Sequence, residues 1–172
     1  ETINMEIITA NITHADIIGN IHAKAWKQAY KGLFPTEYLK QASSQKRKEE
    51  FLNSQYENIQ YYLIAEEETY IGLFKIMITD DICELSNIYL LEEYCRKGYG
   101  TACMNYIKRK YSQYKIVLWT LEMNTNARNF YKKNGFHRTG KKRIINRGHE
   151  FIQIQYAIRK GNLITVNIVN LL

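Results

Sequence analysis

The chain has 172 residues, with 24 Lys and Arg against 17 Asp and Glu, a formal charge of +7. That is one domain's worth of sequence. With 45% apolar residues, 14 Tyr, 6 Phe and 2 Trp it is too apolar to stay disordered, and nine Gly with one Pro exclude a collagen-like or low-complexity chain. No apolar run reaches the ~18 residues of a membrane span. The opening stretch Glu1 to Glu6 lacks the basic and apolar blocks of a secretory signal, which reads as cytoplasmic. The positive excess implies an anionic partner, and nucleic acid, a membrane surface or a phosphorylated cofactor would each satisfy it on charge alone.

Met5 to Thr9 reads as a short strand. Thr13 to Asp16 has the form of a capping box, with the Thr13 hydroxyl accepting from a free amide and Asp16 reaching back. Ile17, Ile21, Ala25 and Ala29 then recur at helical spacing to about Tyr30. Lys31-Gly32 ends that helix and Pro35 suits the start of a second, which carries Tyr38 and Leu39. The charged run from Gln45 to Glu50 reads as a solvated helix face. From Ile59 the pattern turns to β: Tyr61 to Ala65 and Tyr70 to Ile76 form a hairpin around the acidic tip Glu66 to Thr69, and Ile82 to about Leu91 completes an antiparallel meander. A helix to about Tyr111 follows the turn Lys97-Gly98-Tyr99-Gly100-Thr101. Lys115 to Leu121 reads as a strand, Asn124 to Asn134 as a helix, and Phe136 to Ile145 with Glu150 to Ile158 as a last hairpin. Residues 1–158 thus read as one domain. Residues 159–172 read as an extension in which Leu163 to Val169 has strand character, suited to an added edge strand or to pairing with a second copy in a homodimer.

Three cysteines, Cys83, Cys95 and Cys103, have neither redox-pair nor zinc spacing, so reduced thiols and no metal site are expected. Two segments carry chemistry. In the first, a strand leads through Arg96 and Lys97 into a turn with Gly98 and Gly100 and then a helix, whose first-turn amides and dipole suit a phosphate. It is neither a Walker A loop nor a complete dinucleotide fingerprint. In the second, Asn124 caps a helix carrying Phe130 and Tyr131, and Gly135 closes it. The adjacent aromatics leave one ring for the core and one for a cleft. Taken alone, each segment is also explained by ordinary helix starts and core packing.

Together the Lys97-to-Thr101 turn and the Asn124, Ala127, Phe130-Tyr131, Gly135-Phe136 stretch resemble the two signature motifs of the GNAT superfamily of acetyl-coenzyme A dependent N-acetyltransferases, in the same order and separation. The opening Ala25-Trp26 to Pro35 is similar to the first helices of many small members. The resemblance covers about residues 5 to 158. It implies an α/β (α+β) fold: a mixed, mostly antiparallel sheet, split between strands 4 and 5, with helices on both faces. It further implies acetyl-CoA as cosubstrate, its pantetheine in the split and its pyrophosphate on the amides of Arg96, Lys97, Gly98, Tyr99, Gly100 and Thr101. Amides near Tyr89 and Leu90 would polarise the acetyl carbonyl, and Asn124 would lie near the thiol. Tyr131 matches the acid that protonates the leaving thiolate and Glu84 the position of a carboxylate base, while Trp26, Tyr30 and Phe34 would line the acceptor site or simply pack. Cys95 departs from the pattern, standing where Gln or Arg is common, which removes one phosphate-facing side chain and leaves the amides.

The expected function is direct acetyl transfer, in a ternary complex, to a primary amine of a small molecule, with a polyamine-like acceptor preferred. Two other readings remain open on the sequence. One is a nucleic-acid-binding module using the tyrosines with Lys141-Lys142-Arg143 and Arg147. The other is an acetyl-CoA binding protein without catalysis.

Overall fold

The computed structural model describes residues 3–160; the expected strand at Leu163 to Val169 lies outside them. Seven strands of the described residues form one sheet in the order β1-β2-β3-β4-β5-β7-β6. In chain order they are β1 (Met5–Thr9), β2 (Ile59–Glu66), β3 (Thr69–Thr79), β4 (Ile82–Leu90), β5 (Lys115–Leu121), β6 (His137–Asn146) and β7 (Glu150–Ile158). The helices are α1 (Ala15–Tyr30), α2 (Thr36–Leu39), α3 (Ser44–Leu52), α4 (Tyr99–Lys110) and α5 (Thr125–Lys133). All neighbouring strands are antiparallel except β4 and β5. The mixed sheet and the parallel pair are those the sequence resemblance implies.

Residues Tyr61 to Ala65 in β2 are all buried, because helices cover both sides of the sheet. Tyr62 and Ile64 face a core completed by Cys103, Met104 and Ile107 of α4, whose spacing puts them on one helix stripe. Tyr61 and Leu63 face the opposite core, with Ile18 and Ile21 of α1 and Phe51 of α3. A third cluster joins Trp26 and Phe34 to Leu121 of β5 and Phe151 of β7. The edge strand β6 is almost wholly exposed and carries Lys141, Lys142 and Arg143, cationic side chains that discourage pairing with another edge.

Three local expectations are corrected. The cap before α1 is built by Asn11, not Thr13: the Asn11 side chain accepts from the Thr13 amide at 2.9 Å, and the His14 imidazole accepts from the Asn11 amide at 3.0 Å. A 3-10 turn, Ile12–His14, fills the interval where Thr13 was expected to start the helix. The second helical stretch is two helices, with Ser43 capping α3 through the Lys46 amide. Finally, the Gln45 to Glu50 run is not a wholly solvated face. A side chain at Gly19 would stand 2.5 Å from the Ser44 carbonyl oxygen, so α1 and α3 cross closely, and Arg47 is turned inward over the Trp26 ring at 5.1 Å.

Candidate active site

The site begins where the sheet comes apart. β4 and β5 pair only at Ile82 with Lys115, Cys83 with Ile116 and Glu84 with Val117. Just beyond, the β3–β4 register jumps from Ile76 opposite Leu85 to Lys75 opposite Asn87, leaving Ser86 as an extra residue. Such a bulge bends its strand and adds twist, here carrying β4 away from β5. It also reverses side-chain parity. Leu85 and then Ile88 and Leu90 face the α4 core, while Glu84 and then Asn87 and Tyr89 share the α1 side. The Leu91 amide bonds to the Ile71 carbonyl at 2.9 Å. Alternation along an extended strand therefore turns the Tyr89 amide toward β3 and the Leu90 amide into the split. Of the two amides expected to polarise a carbonyl, Leu90's is the one so placed.

Two cavities meet across this split. The smaller, about 570 Å³, runs from Leu90 past Cys95, Arg96, Gly98, Gly100 and Thr101 to Phe130 and Tyr131. Its floor is the start of α4. The first helical bond there is from the Ala102 amide to the Gly98 carbonyl, so the amides of Gly100 and Thr101 have no helical carbonyl to meet. Arg96 and Gly98 both have positive φ, 57° and 93°, which curls this backbone into a concave turn suited to an anion. Tyr99 contributes only backbone: its buried ring turns into the core, where its hydroxyl donates to the Glu66 carboxylate. A side chain at Gly100 would lie 3.1 Å from the Phe130 ring, so this glycine also lets α5 close on α4. The Cys95 thiol is exposed at the cavity wall, pointing to the Leu90 and Leu91 carbonyls at 3.8 and 3.6 Å.

The larger cavity, about 670 Å³, is walled by Trp26, Tyr30 and Phe34, with Glu84, Tyr89, Asn124 and Tyr131. The three opening aromatics both pack and line: Tyr30 stacks on Phe34 at 4.4 Å, and Trp26 lies 5.5 Å from Tyr30. Asn124 caps α5, accepting from the Ala127 amide at 3.1 Å, and faces this cavity as well. Tyr131 belongs to both cavities. Burial, with the neighbouring Tyr30, holds its phenol well above the ordinary range, so it stays a proton donor.

Several lining residues carried no sequence signal. His22, on the buried side of α1, stacks on Tyr89 at 5.3 Å. Burial, then Arg47 and Lys75, push its imidazole down from 6.5 to about 3, so it is neutral. Lys75, opposite Asn87, reaches over the Tyr61 ring at 5.3 Å. Of the basic stretch singled out by sequence, Lys142 pairs with Glu122 at 2.8 Å, whereas Arg143 and Arg147 face into the cavity. Arg143 lies over the Trp119 ring at 4.3 Å and donates to Gln153 at 2.7 Å; burial draws its guanidinium below the ordinary range, with Glu84 opposing that shift. A periodicity search could not have found these residues, because bulge and hairpin geometry bring them together.

The sequence pattern of the Acetyltransferase (GNAT) family matches residues 23–136, about two thirds of the chain. This chain belongs to that family. As a GNAT member it is an acetyl-coenzyme A dependent N-acetyltransferase. A spermidine N(1)-acetyltransferase of Thermoplasma acidophilum is 26% identical over 143 residues, covering 77% of this chain and 88% of that protein. The crystal structure of a PaiA N-acetyltransferase from the same organism, in complex with coenzyme A, superposes with a TM-score of 0.65, covering 88% of this chain and 97% of that one at 26% identity. A ribosomal-protein-alanine N-acetyltransferase of Escherichia coli, 17% identical, shares the fold at a TM-score of 0.69 over 92% of this chain and 98% of its own. Among the described residues no cluster of His, Cys, Asp or Glu is arranged to hold a metal ion, and no helix is long and apolar enough to cross a membrane.

Proposed function

We propose that the chain moves the acetyl group of acetyl-coenzyme A to a primary amine of a small molecule by direct attack in a ternary complex. The observation that carries this reading is the meeting of two cavities at Tyr131: one floored by the first turn of α4 at Gly98, Gly100 and Thr101, the other walled by aromatics and Glu84. The first-turn amides of Gly100 and Thr101, with Arg96 and Lys97 beside them, fit a pyrophosphate. The Leu90 amide, turned into the split, donates to the acetyl carbonyl as charge develops on its oxygen. Glu84 takes a proton from the acceptor's ammonium, through water if needed, so that the amine lone pair can attack the acetyl carbon. The C–N bond forms, the C–S bond breaks, Tyr131 gives its proton to the departing thiolate, and the second proton lost by the nitrogen as the amide forms restores the phenol through solvent. The acceptor enters past Trp26, Tyr30 and Phe34.

The polyamine-like acceptor preferred from sequence has the name of the Thermoplasma relative behind it and the charge of the larger cavity against it. Calorimetry with coenzyme A, followed by thiol release from acetyl-coenzyme A across a panel of amines, tests the assignment. Binding of coenzyme A with amine-dependent thiol release is expected. No binding of coenzyme A, together with tight binding of an oligonucleotide, would overturn it, and binding without release to any amine would make the protein a silent acetyl-coenzyme A binder.

A further inference from the structure

From the charge of the larger cavity we infer that the acceptor is an amine carrying an anionic group, a carboxylate or a phosphate, at its far end, and not a polyamine. The inference rests on the acetyl-transfer reading above and narrows its substrate class. Five cationic side chains line this cavity: Lys46, Arg47, Lys75, Arg143 and Arg147. They face only two carboxylates, Glu50 and Glu84, an excess of three positive charges. One of the five is spent, since Arg47 pairs with Glu50 at 2.8 Å. Lys75, Arg143 and Arg147 make no ion pair among the described residues. The field is also felt by the walls: Arg47 and Lys75 add to burial in keeping His22 uncharged, and at Tyr30, whose phenol burial pushes up, Arg147 and Arg47 act in the opposite direction.

A polyamine in this cavity would bring further ammonium groups into a space already three charges positive, with Glu84 needed for proton transfer. An acceptor with a distal anion meets the opposite situation, because charge-assisted bonds to Arg or Lys are the strong ones. The same field helps the chemistry. Cations near an ammonium disfavour its charged form, so the reacting nitrogen sheds its proton more readily here than in water.

The test compares acceptors by thiol release at fixed acetyl-coenzyme A: 1,5-diaminopentane against the similarly long 5-aminopentanoate and an aminoalkyl phosphate, with spermidine as the polyamine arm. The two anionic arms decide between carboxylate and phosphate. At least one of them is expected to exceed the diamine in kcat/KM by about tenfold or more, the scale of one hydrogen bond to a charged group. Arg147→Gln and Lys75→Gln, made singly, should each raise KM for the anionic acceptor by about tenfold while kcat changes little. Higher kcat/KM for spermidine or the diamine overturns the inference and leaves acetyl transfer standing, as does the absence of turnover with every anionic amine when coenzyme A binds normally. Failure of coenzyme A to bind belongs to the underlying assignment and is read separately by calorimetry.

Discussion

Tyr131 lines both cavities, and its surroundings suit a donor. Phe130, Phe136 and Tyr156 hold its ring at centroid distances of 5.5, 6.2 and 6.4 Å, so the hydroxyl is aimed by packing. Tyr131→Phe keeps that packing and removes only the proton. Turnover should fall by about 10²-fold with the Kd for coenzyme A unchanged, the usual scale for loss of a general acid; stopped-flow thiol release and calorimetry measure the two. His22 gives a second prediction at this scale. Its folded value, about 3, lies below the 6.5 it has when exposed, so between those values the unfolded chain binds the extra proton and the folded one does not. Its stabilising contribution is therefore whole above about pH 6.5 and is lost on acidification, at up to about 1.4 kcal/mol per pH unit. Melting temperatures between pH 7 and 4.5 should fall more steeply for the natural chain than for His22→Gln.

The strand β4 does the positioning for the whole site. Its bulge at Ser86 puts Glu84 and Tyr89 on one face, which an uninterrupted strand could not do, since five residues apart they would point oppositely. The other side of β4 is held by β3 at very close range. A side chain at Gly72 would stand 2.3 Å from the Tyr89 carbonyl oxygen and 2.9 Å from the Leu90 side chain. Gly72→Ala must therefore displace the segment that carries the Leu90 amide. A stability loss of about 1–3 kcal/mol is expected from the forced shift, together with a fall in kcat that exceeds any change in coenzyme A affinity. Denaturant melts and steady-state kinetics on the same preparation check both.

Across the whole molecule, burial separates three thiols that look alike in sequence. Cys83 and Cys103 are buried in the α4 core, and burial pushes each thiol up to about 12. Cys95 stands at the wall of the smaller cavity and is exposed. Thiolate fraction and access set reactivity, so iodoacetamide on the folded protein should modify Cys95 alone, slowly because burial raises its thiol too, and more slowly still with coenzyme A present. Peptide mass spectrometry after brief labelling reads the three sites. Labelling of Cys83 or Cys103 at a comparable rate would contradict the core described above.

Much of the fold is legible along the chain because it is local. The spans Lys115–Leu121 and Glu150–Ile158 follow from apolar and β-branched runs between turn signals, and the glycine turn before α4 announces both a helix start and an anion site. The candidate residues Tyr131, Asn124 and Gly98 stand out along the chain because two motifs at a set separation carry them, whereas Leu90 enters only through the family resemblance. The cap at Asn11 was not, because a 3-10 turn shifted the helix start beyond the residue that looked like its cap. Arg47 was not either: a charged helix surface looks solvated until one knows that Gly19 lets another helix cross it. The charge of the larger cavity is a property of tertiary structure alone. Lys75 comes from β3, Arg47 from α3, and Arg143 and Arg147 from β6 and the turn after it. They act together only because the bulge opens the sheet, α3 folds down on α1, and the last hairpin crosses back beside β5. The sequence by itself carried the two motifs that resemble those of acetyltransferases and an excess of positive charge. Where that excess points, and so which amine it admits, was decided by packing, because a charge acts over distance in space and not along the chain.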